Sequence, residues 1–501
     1  MKNLFNIIVS LLILGVGCTD LDEELYQNIP EDKYPENEAQ VASLNVDAYA
    51  RMRPLADDEG WWFWAQEITS DELVFPTRGA DWDDGGKWRV MHQHTWSNDV
   101  EGINSMWDVF YRGITRSNQI LDMMRQLPPS DEIDAKIKET ETVRSFYYYL
   151  LLDNYGAAPY LTTAIGVPDQ PFKTSRAAMF DSITSTLEAN LPALKAIDNK
   201  YLATRYMAFA TLAKLYLNAE VYTGTPQWEK ANQYIDSVLA GPYTLDFTVD
   251  GSFVTENQNA PEIIFSIPYD EDDFQGFRIH MRSLHYQHNL TYDMPVGPWN
   301  GCAVTYDHFL TYEESDLRKE AYFIYGPQYD SKGAPIIESV LEEPLVINPE
   351  IPAIRMDASY SEAQIRTSGA RIGKYEIAMG AKENLSNDFP LFRLSDFYLM
   401  KAEVEVRLGR NGDEWVNAIR ERAGVDPWTD ATLEMILEER GRELFAEGHR
   451  RQDLIRFGKF TNSWWAKGDS QGGVAGDKSV LVFPIPKWAT DANPNLLEDP
   501  K

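Results

Sequence analysis

The chain has 501 residues, enough for one large domain or two to three ordinary ones, and at 44% hydrophobic and 12% aromatic it can fill a sizeable core. Its formal net charge is -32, which repels phosphate backbones and acidic polysaccharides; nucleic-acid binding is excluded and a neutral ligand stays compatible. The two cysteines, Cys18 and Cys302, do not make a disulfide framework, and a chain this long does not need one.

The N-terminus reads as an export signal. Lys2 precedes an apolar run from Ile7 to Leu14, then Gly15-Val16-Gly17-Cys18. The run is too short to span a membrane. Its ending matches a bacterial lipobox, in which the Cys18 thiol takes a diacylglycerol, although Gly15 stands where leucine is commonest. This reading makes 1–18 a lipoprotein signal and 19–36 an acidic tether, led by Thr19-Asp20-Leu21-Asp22-Glu23-Glu24.

The stretch from Gly60 to Trp96 holds six of the chain's 14 tryptophans, a density that marks it as the first functional candidate. Trp61, Trp62 and Trp64, in the apolar run WWFW, read as core. Trp82 lies in DWDDGG, where Asp and Gly supply turns, and reads as a loop residue open to solvent. An indole flanked by Arg78 and Asp83 suits a sugar, the ring packing on C–H groups while the polar side chains hold hydroxyls. The alternative is that Trp82, too, plugs into the core.

From about 100 to 242 the pattern is helical. Trp107, Phe110, Tyr111, Ile114 and Leu121 follow a 3.6-residue period that Pro128-Pro129 ends. Val143 to Tyr155 is apolar nearly all round and should be buried. Phe180, Ile183, Leu187 and Leu191 mark the next helix. Two further stripes, through Leu212 and Leu215 and through Ile235 and Val238, are joined at Gly224-Thr225-Pro226 like a tetratricopeptide-type helix pair, without a strict repeat. From 243 to 390 Pro, Gly, Asn and Asp dominate, and the segment reads as irregular loops with a few strands such as Glu262 to Ile267. There Met294 to Cys302 (MPVGPWNGC) puts Trp299 on a second Gly/Pro-rich loop, either as a ligand contact or as a turn seated in the core. Helices return at Leu394, with further stripes through Val416 and Ile419 and through Leu433, Ile436, Leu437 and Leu444.

Residues 391–501 carry the most specific pattern. Glu439-Arg440, Arg442-Glu443-Leu444-Phe445, Glu447-Gly448, Arg450, Asp453-Leu454 and Arg456-Phe457-Gly458 are followed by Phe483-Pro484-Ile485-Pro486 and Asn493-Pro494-Asn495-Leu496. Their charges recur at three- and four-residue spacings, and Arg forks onto carboxylates, so they read as locks between helices. The series resembles the SusD/RagB family of outer-membrane glycan-binding lipoproteins, although Glu498-Asp499-Pro500-Lys501 replaces the family's usual Gln-Asn-Pro-Gly-Tyr ending. VRSFYYYLLLDNYGAAPYL, the segment AKLYLNAEVYTGTPQWEKANQYIDSVLAGPYTL and the lipobox agree with it.

The resemblance implies a mostly α fold, a tetratricopeptide-like helix-pair scaffold with a large loop-rich, irregular half. Residues 37–501 would be a single domain, with scaffold mainly at 100–242 and 391–460 and ligand-binding parts mainly at 55–98 and 243–390. It implies capture of a neutral oligosaccharide or polysaccharide at the cell surface and delivery to a SusC-like TonB-dependent transporter, with no catalysis and no cofactor. The loops around Trp82 and Trp299 are similar to those of fructan- and β-glucan-binding relatives such as laminarin binders. That likeness places Trp82, Trp299, Asn300, Cys302 and Arg371 around the sugar. A peptide importer component is the alternative binder.

A surface glycoside hydrolase is the alternative enzyme. Asp71-Glu72 and Asp83-Asp84 are neighbours, whereas catalytic carboxyls must face each other across a bond at about 5 to 10 Å. His92-Gln93-His94 could set two imidazoles on one strand face but lacks a recognisable third ligand, so no metal site is assigned. No HExxH or P-loop sequence occurs.

Overall fold

The computed structural model describes residue 40 and residues 43–500, apart from 57–59 and 198, so the expected signal, tether and Cys18 lipidation lie outside the described residues. Residues 1–44 and 45–501 are separate units, and the second is described below. It is mostly helical. The periodic stripe through Phe110 and Ile114 becomes helix Glu101–Met124, and the apolar run becomes the second half of Asp131–Tyr155. Ser130 caps the latter by accepting from the Ile133 N–H, with Asp131, Glu132 and Asp134 in its first turn, where the helix dipole favours negative charge. The two helices pack together, and Gly113 lets them approach: a Cβ there would stand 2.3 Å from the Tyr147 ring. Every residue from Val143 to Tyr155 is buried, as the all-round apolar pattern predicts.

Arg176–Asn190 packs on the 131–155 helix, and Arg205–Leu217 pairs with Trp228–Leu239. That pair meets Leu394–Arg407, which packs in turn on Asp413–Arg422 and Leu433–Glu443. The late helices thus complete a scaffold begun 200 residues earlier in sequence.

Strands are short and act as clamps. Ile263–Ile267 pairs antiparallel with Phe389–Arg393, all ten residues buried, where the loop-rich part leaves and rejoins the scaffold. Leu73–Val74 pairs antiparallel with Ala303–Val304, and Thr77–Arg78 pairs parallel with Arg355–Met356. These two-residue ladders tie the tryptophan-rich segment to the loops around residues 300 and 355.

The C-terminal charges are locks. Glu443 accepts from Arg318 at 3.1 Å, from Arg393 at 2.8 Å and from Arg422. Glu439 meets Arg318 at 2.7 Å and both Arg420 and Arg442 at 2.8 Å. Arg440 bridges Asp396 at 2.8 Å and Asp453 at 2.7 Å, while Arg456 holds Glu403 and Asp453. Their side chains are all at most 8% exposed. Burial pushes the Glu443 carboxyl up, but Arg422, Arg393 and Arg318 override it and hold it well below the usual carboxylate range. The same competition brings Glu439 down to about 2. A buried charge left without its partner is strongly destabilising, so these pairs fix one arrangement of the helices.

Candidate functional site

The loop from Thr77 to Gly86 is built by local rules. Gly79 takes φ +65, and the backbones of Arg78 and Asp81 bond in both directions, at 2.9 and 3.0 Å, closing a tight turn. Trp82 follows with φ +61, a left-handed conformation that a bulky residue adopts at a cost of about 1–3 kcal/mol when its surroundings impose it. The surroundings are specific. The Trp82 indole N–H donates to the Trp299 carbonyl at 2.9 Å. Its ring lies flush on Gly301, where a Cβ would be 2.5 Å from the indole. Asn300, between those two residues, is also left-handed, at φ +54.

The result is a ledge built on two indoles, Trp82 and Trp299, each half-buried and partly open to solvent and linked through that hydrogen bond. Tyr286, also half-buried, joins them. Its hydroxyl donates to Asp81, and the Arg366 guanidinium stands 5.0 Å from its ring centre. Asp83 sits at the rim, paired with Arg89 at 3.1 Å. Beneath lies a stack in which Trp88 meets Trp61 at 4.3 Å and Phe75 at 4.1 Å between ring centres. The Arg282 guanidinium lies among four indoles, 5.5 Å from Trp82 and 5.6 Å from Trp299, with Trp64 and Trp88 within 6 Å. Such cation–π contacts hold the two exposed rings in fixed relation.

Trp61, Trp62 and Trp64 are core, in accord with their apolar run. Trp82, Trp299 and Asp83 reach the surface, Trp82 less fully than its polar surroundings suggest, because Gly301 and the Trp299 carbonyl claim one face and one edge. Four residues that the likeness places around a sugar, or that flank Trp82 in sequence, lie behind the ledge. Arg78, Asn300, Cys302 and Arg371 are buried, with exposures of 3, 0, 0 and 0%. Asn300 donates to the Arg366 carbonyl at 3.0 Å and accepts from Arg371 at 2.7 Å. Burial drives the Cys302 thiol far above its ordinary range and keeps it protonated. As placed, these four side chains back the ledge and do not line its open face.

Tyr286 carries no sequence signal. LHYQHN has no turn residues beyond one Asn, and only the packing of helix Ile279–Ser283 against Arg371–Ile372 brings it to the ledge. His92 and His94 do not share a strand. His92 ends helix Lys87–His92 and bonds the Ile68 and Trp465 carbonyls; His94 bonds the Thr69 carbonyl at 2.8 Å. Of the adjacent carboxylates, Asp71 pairs with Arg450 at 2.7 Å, and Asp84 accepts the Trp88 indole N–H at 2.7 Å. Among the described residues no helix is long and apolar enough to cross a membrane.

A model of the SusD family matches residues 261–501, and a second, described as starch-binding associating with outer membrane, matches residues 21–217. The chain is similar to the starch-binding protein SusD of Bacteroides thetaiotaomicron, 23% identical over 476 residues that cover 87% of this chain and 84% of that protein. In fold it is similar to surface glycan-binding protein A of Bacteroides thetaiotaomicron, solved in complex with laminarihexaose (TM-score 0.72, 20% identity, 91% of this chain and 97% of that one). It is also similar to a laminarin-binding SusD-like protein (TM-score 0.71, 21% identity, 91% and 98%).

Proposed function

The chain belongs to the SusD/RagB family, and from that premise we propose that it captures a saccharide at the outer-membrane surface. The observation that carries this reading is the ledge itself: Trp82 and Trp299, each half-buried and partly open, joined by a 2.9 Å hydrogen bond from the Trp82 indole to the Trp299 carbonyl, with Trp82 and neighbouring Asn300 both left-handed. Strained backbone that the fold over-determines points to a site where geometry matters. Flat apolar rings beside Asp81, Asp83 and the Tyr286 hydroxyl match the alternating C–H and hydroxyl faces of a sugar. Trp82, Trp299 and Tyr286 are the contact residues in this reading, with Asp83 at the rim; Arg78, Asn300, Cys302 and Arg371 shape the ledge from behind.

Cys18 is the proposed lipid anchor, and a SusC-like TonB-dependent transporter the proposed recipient of the captured chain. The role in this reading is binding without turnover: the ledge carboxyls are taken up by the protein, Asp83 by Arg89, Asp84 by the Trp88 indole and Asp81 by the Tyr286 hydroxyl. The named ligands of the similar proteins, starch and laminarin, head the panel to be tested. Calorimetry of the full chain against laminarin, levan, inulin, starch, mannan, xylan and acidic glycans should give binding on the order of micromolar to millimolar, because hydroxyls exchange water for protein partners at little net gain. Heat from at least one glycan, with no reducing ends released overnight, is the predicted result. Silence from the whole panel removes the reading, and steady release of reducing ends replaces it with a hydrolase.

A further inference from the structure

Directly behind the ledge lie two positive charges that no carboxylate among the described residues pairs with. Arg78 donates to the carbonyls of Gly301 at 3.4 Å, Ile365 at 2.9 Å and Ser368 at 2.9 Å. Arg371 donates to the Ser368 carbonyl at 2.7 Å, to Gly369, to the Asn300 side chain at 2.7 Å and to the Arg366 carbonyl at 3.3 Å. The Ser368 carbonyl accepts from both, so the two guanidiniums are side by side. All their partners are neutral, and among the described residues neither pairs with a carboxylate. Burial brings Arg78 down to about 10, and burial together with the Arg78 charge lowers Arg371 well below its ordinary value.

This is the opposite of the C-terminal locks, where buried Arg318, Arg393 and Arg440 each face carboxylates. Leaving a buried cation uncompensated costs several kcal/mol. Tying carbonyls together does not require charge: the Asn300 amide does it at 3.0 Å in the same turn. The nearby acids are already engaged. Glu338 is held by Arg366 at 2.6 Å, Asp83 by Arg89, Asp81 by the Tyr286 hydroxyl, and exposed Asp84 by Trp88. Both guanidiniums are bonded to the 299–301 turn itself, at the Gly301 carbonyl and the Asn300 side chain, so an oxyanion seated on the turn meets their charge at short range, where salt can still screen it. Arg282, among the ledge indoles, has the same sign.

Resting on the saccharide reading above, we propose that the glycan taken by the Trp82–Trp299 ledge carries an oxyanion, a uronate carboxylate or a sulfate ester, seated over the 299–301 turn, with the buried Arg78–Arg371 pair as its counter-charge. The net charge of -32 argues for a neutral ligand only at long range. Within a Debye length of about 8–10 Å, local charges decide.

The test is calorimetry on the full chain with matched pairs: oligogalacturonate against its methyl ester, and sulfated laminarin against laminarin, in about 20 mM and about 1 M NaCl. In at least one pair the acidic member should bind at least about tenfold tighter at low salt, the advantage shrinking to within about threefold at high salt as screening removes it. Which pair responds identifies the oxyanion. A neutral member that binds as tightly as its acidic match, or an advantage that salt leaves unchanged, overturns the charge inference and leaves the ledge reading standing. If no saccharide of either kind binds, both fall. A folded Arg78→Gln chain should lose the acidic preference, and keeping it counts against the proposal; the salt series on the unaltered chain decides the matter even if that variant does not fold.

Discussion

At the scale of single residues, the ledge depends on what is missing at position 301. Gly301 has no Cβ, and the Trp82 ring occupies the space one would fill, 2.5 Å away. Gly301→Ala should therefore push the indole off its seat and stretch its hydrogen bond to Trp299. Overpacking of this kind destabilises by about 1–3 kcal/mol, and saccharide affinity should fall at least about tenfold with it. Urea titration and calorimetry on the same variant check both parts; unchanged affinity would mean that Trp82 does not need this position. Which residues stand on the open face of the ledge was only half legible in the sequence. Trp82 and Trp299 declare themselves as indoles on turn-rich loops, and both reach the surface. Arg78, Asn300, Cys302 and Arg371 are polar or small residues on or near those loops, yet they turn inward; for Arg78, Asn300 and Arg371 the reason is that the carbonyls of 365, 366, 368 and 369 converge behind the ledge and need donors. Arg371 meets carbonyls two to five residues back, but Arg78 reaches across 287 and 290 residues and Asn300 across 66, and no local pattern announces that convergence. Tyr286 was hidden for the same reason.

At the scale of elements, helices were readable because their stripes repeat every 3.6 residues, and the all-round apolar stretch 143–155 forecast its own burial. The C-terminal charges were readable as locks because arginine and glutamate alternate at helical spacing. Glu443 is the hub: Arg318, Arg393 and Arg422 all depend on it. Glu443→Ala should destabilise the fold by about 3–5 kcal/mol, since it takes one carboxylate from three guanidiniums at once and leaves them only Asp316, Glu439, Glu262 and Glu447, while leaving the ledge residues untouched. The pH dependence has a definite sign. Glu443 and Glu439 have folded-state values below the ordinary carboxylate value of 4.5, with Glu439 at about 2. Their contribution is thus fully present above that ordinary value and is lost as pH falls toward the folded one. Thermal melts from pH 7 down to pH 3 should show the wild type losing stability faster than Glu443→Ala in the acid range. Parallel curves for the two chains would mean that the network does not titrate as a unit.

At the scale of the whole molecule, a scaffold closed by late helices carries a loop-rich part pinned by two-residue ladders, and the aromatic ledge forms where three of those loops meet. Composition foretold the class and the large core. Its net charge described the average surface and said nothing about the Arg78–Arg371 pair, because a sum over 501 residues hides two that are buried. The central claim is that a saccharide lies on Trp82, Trp299 and Tyr286. The most direct measurement is a crystal structure of the full chain with the glycan that calorimetry selects. The account predicts a sugar ring stacked on at least one of the two indoles, with a hydroxyl in hydrogen-bonding reach of Asp81, Asp83 or Tyr286. A glycan bound elsewhere, with the Trp82–Trp299 ledge bare and unmoved, would contradict it.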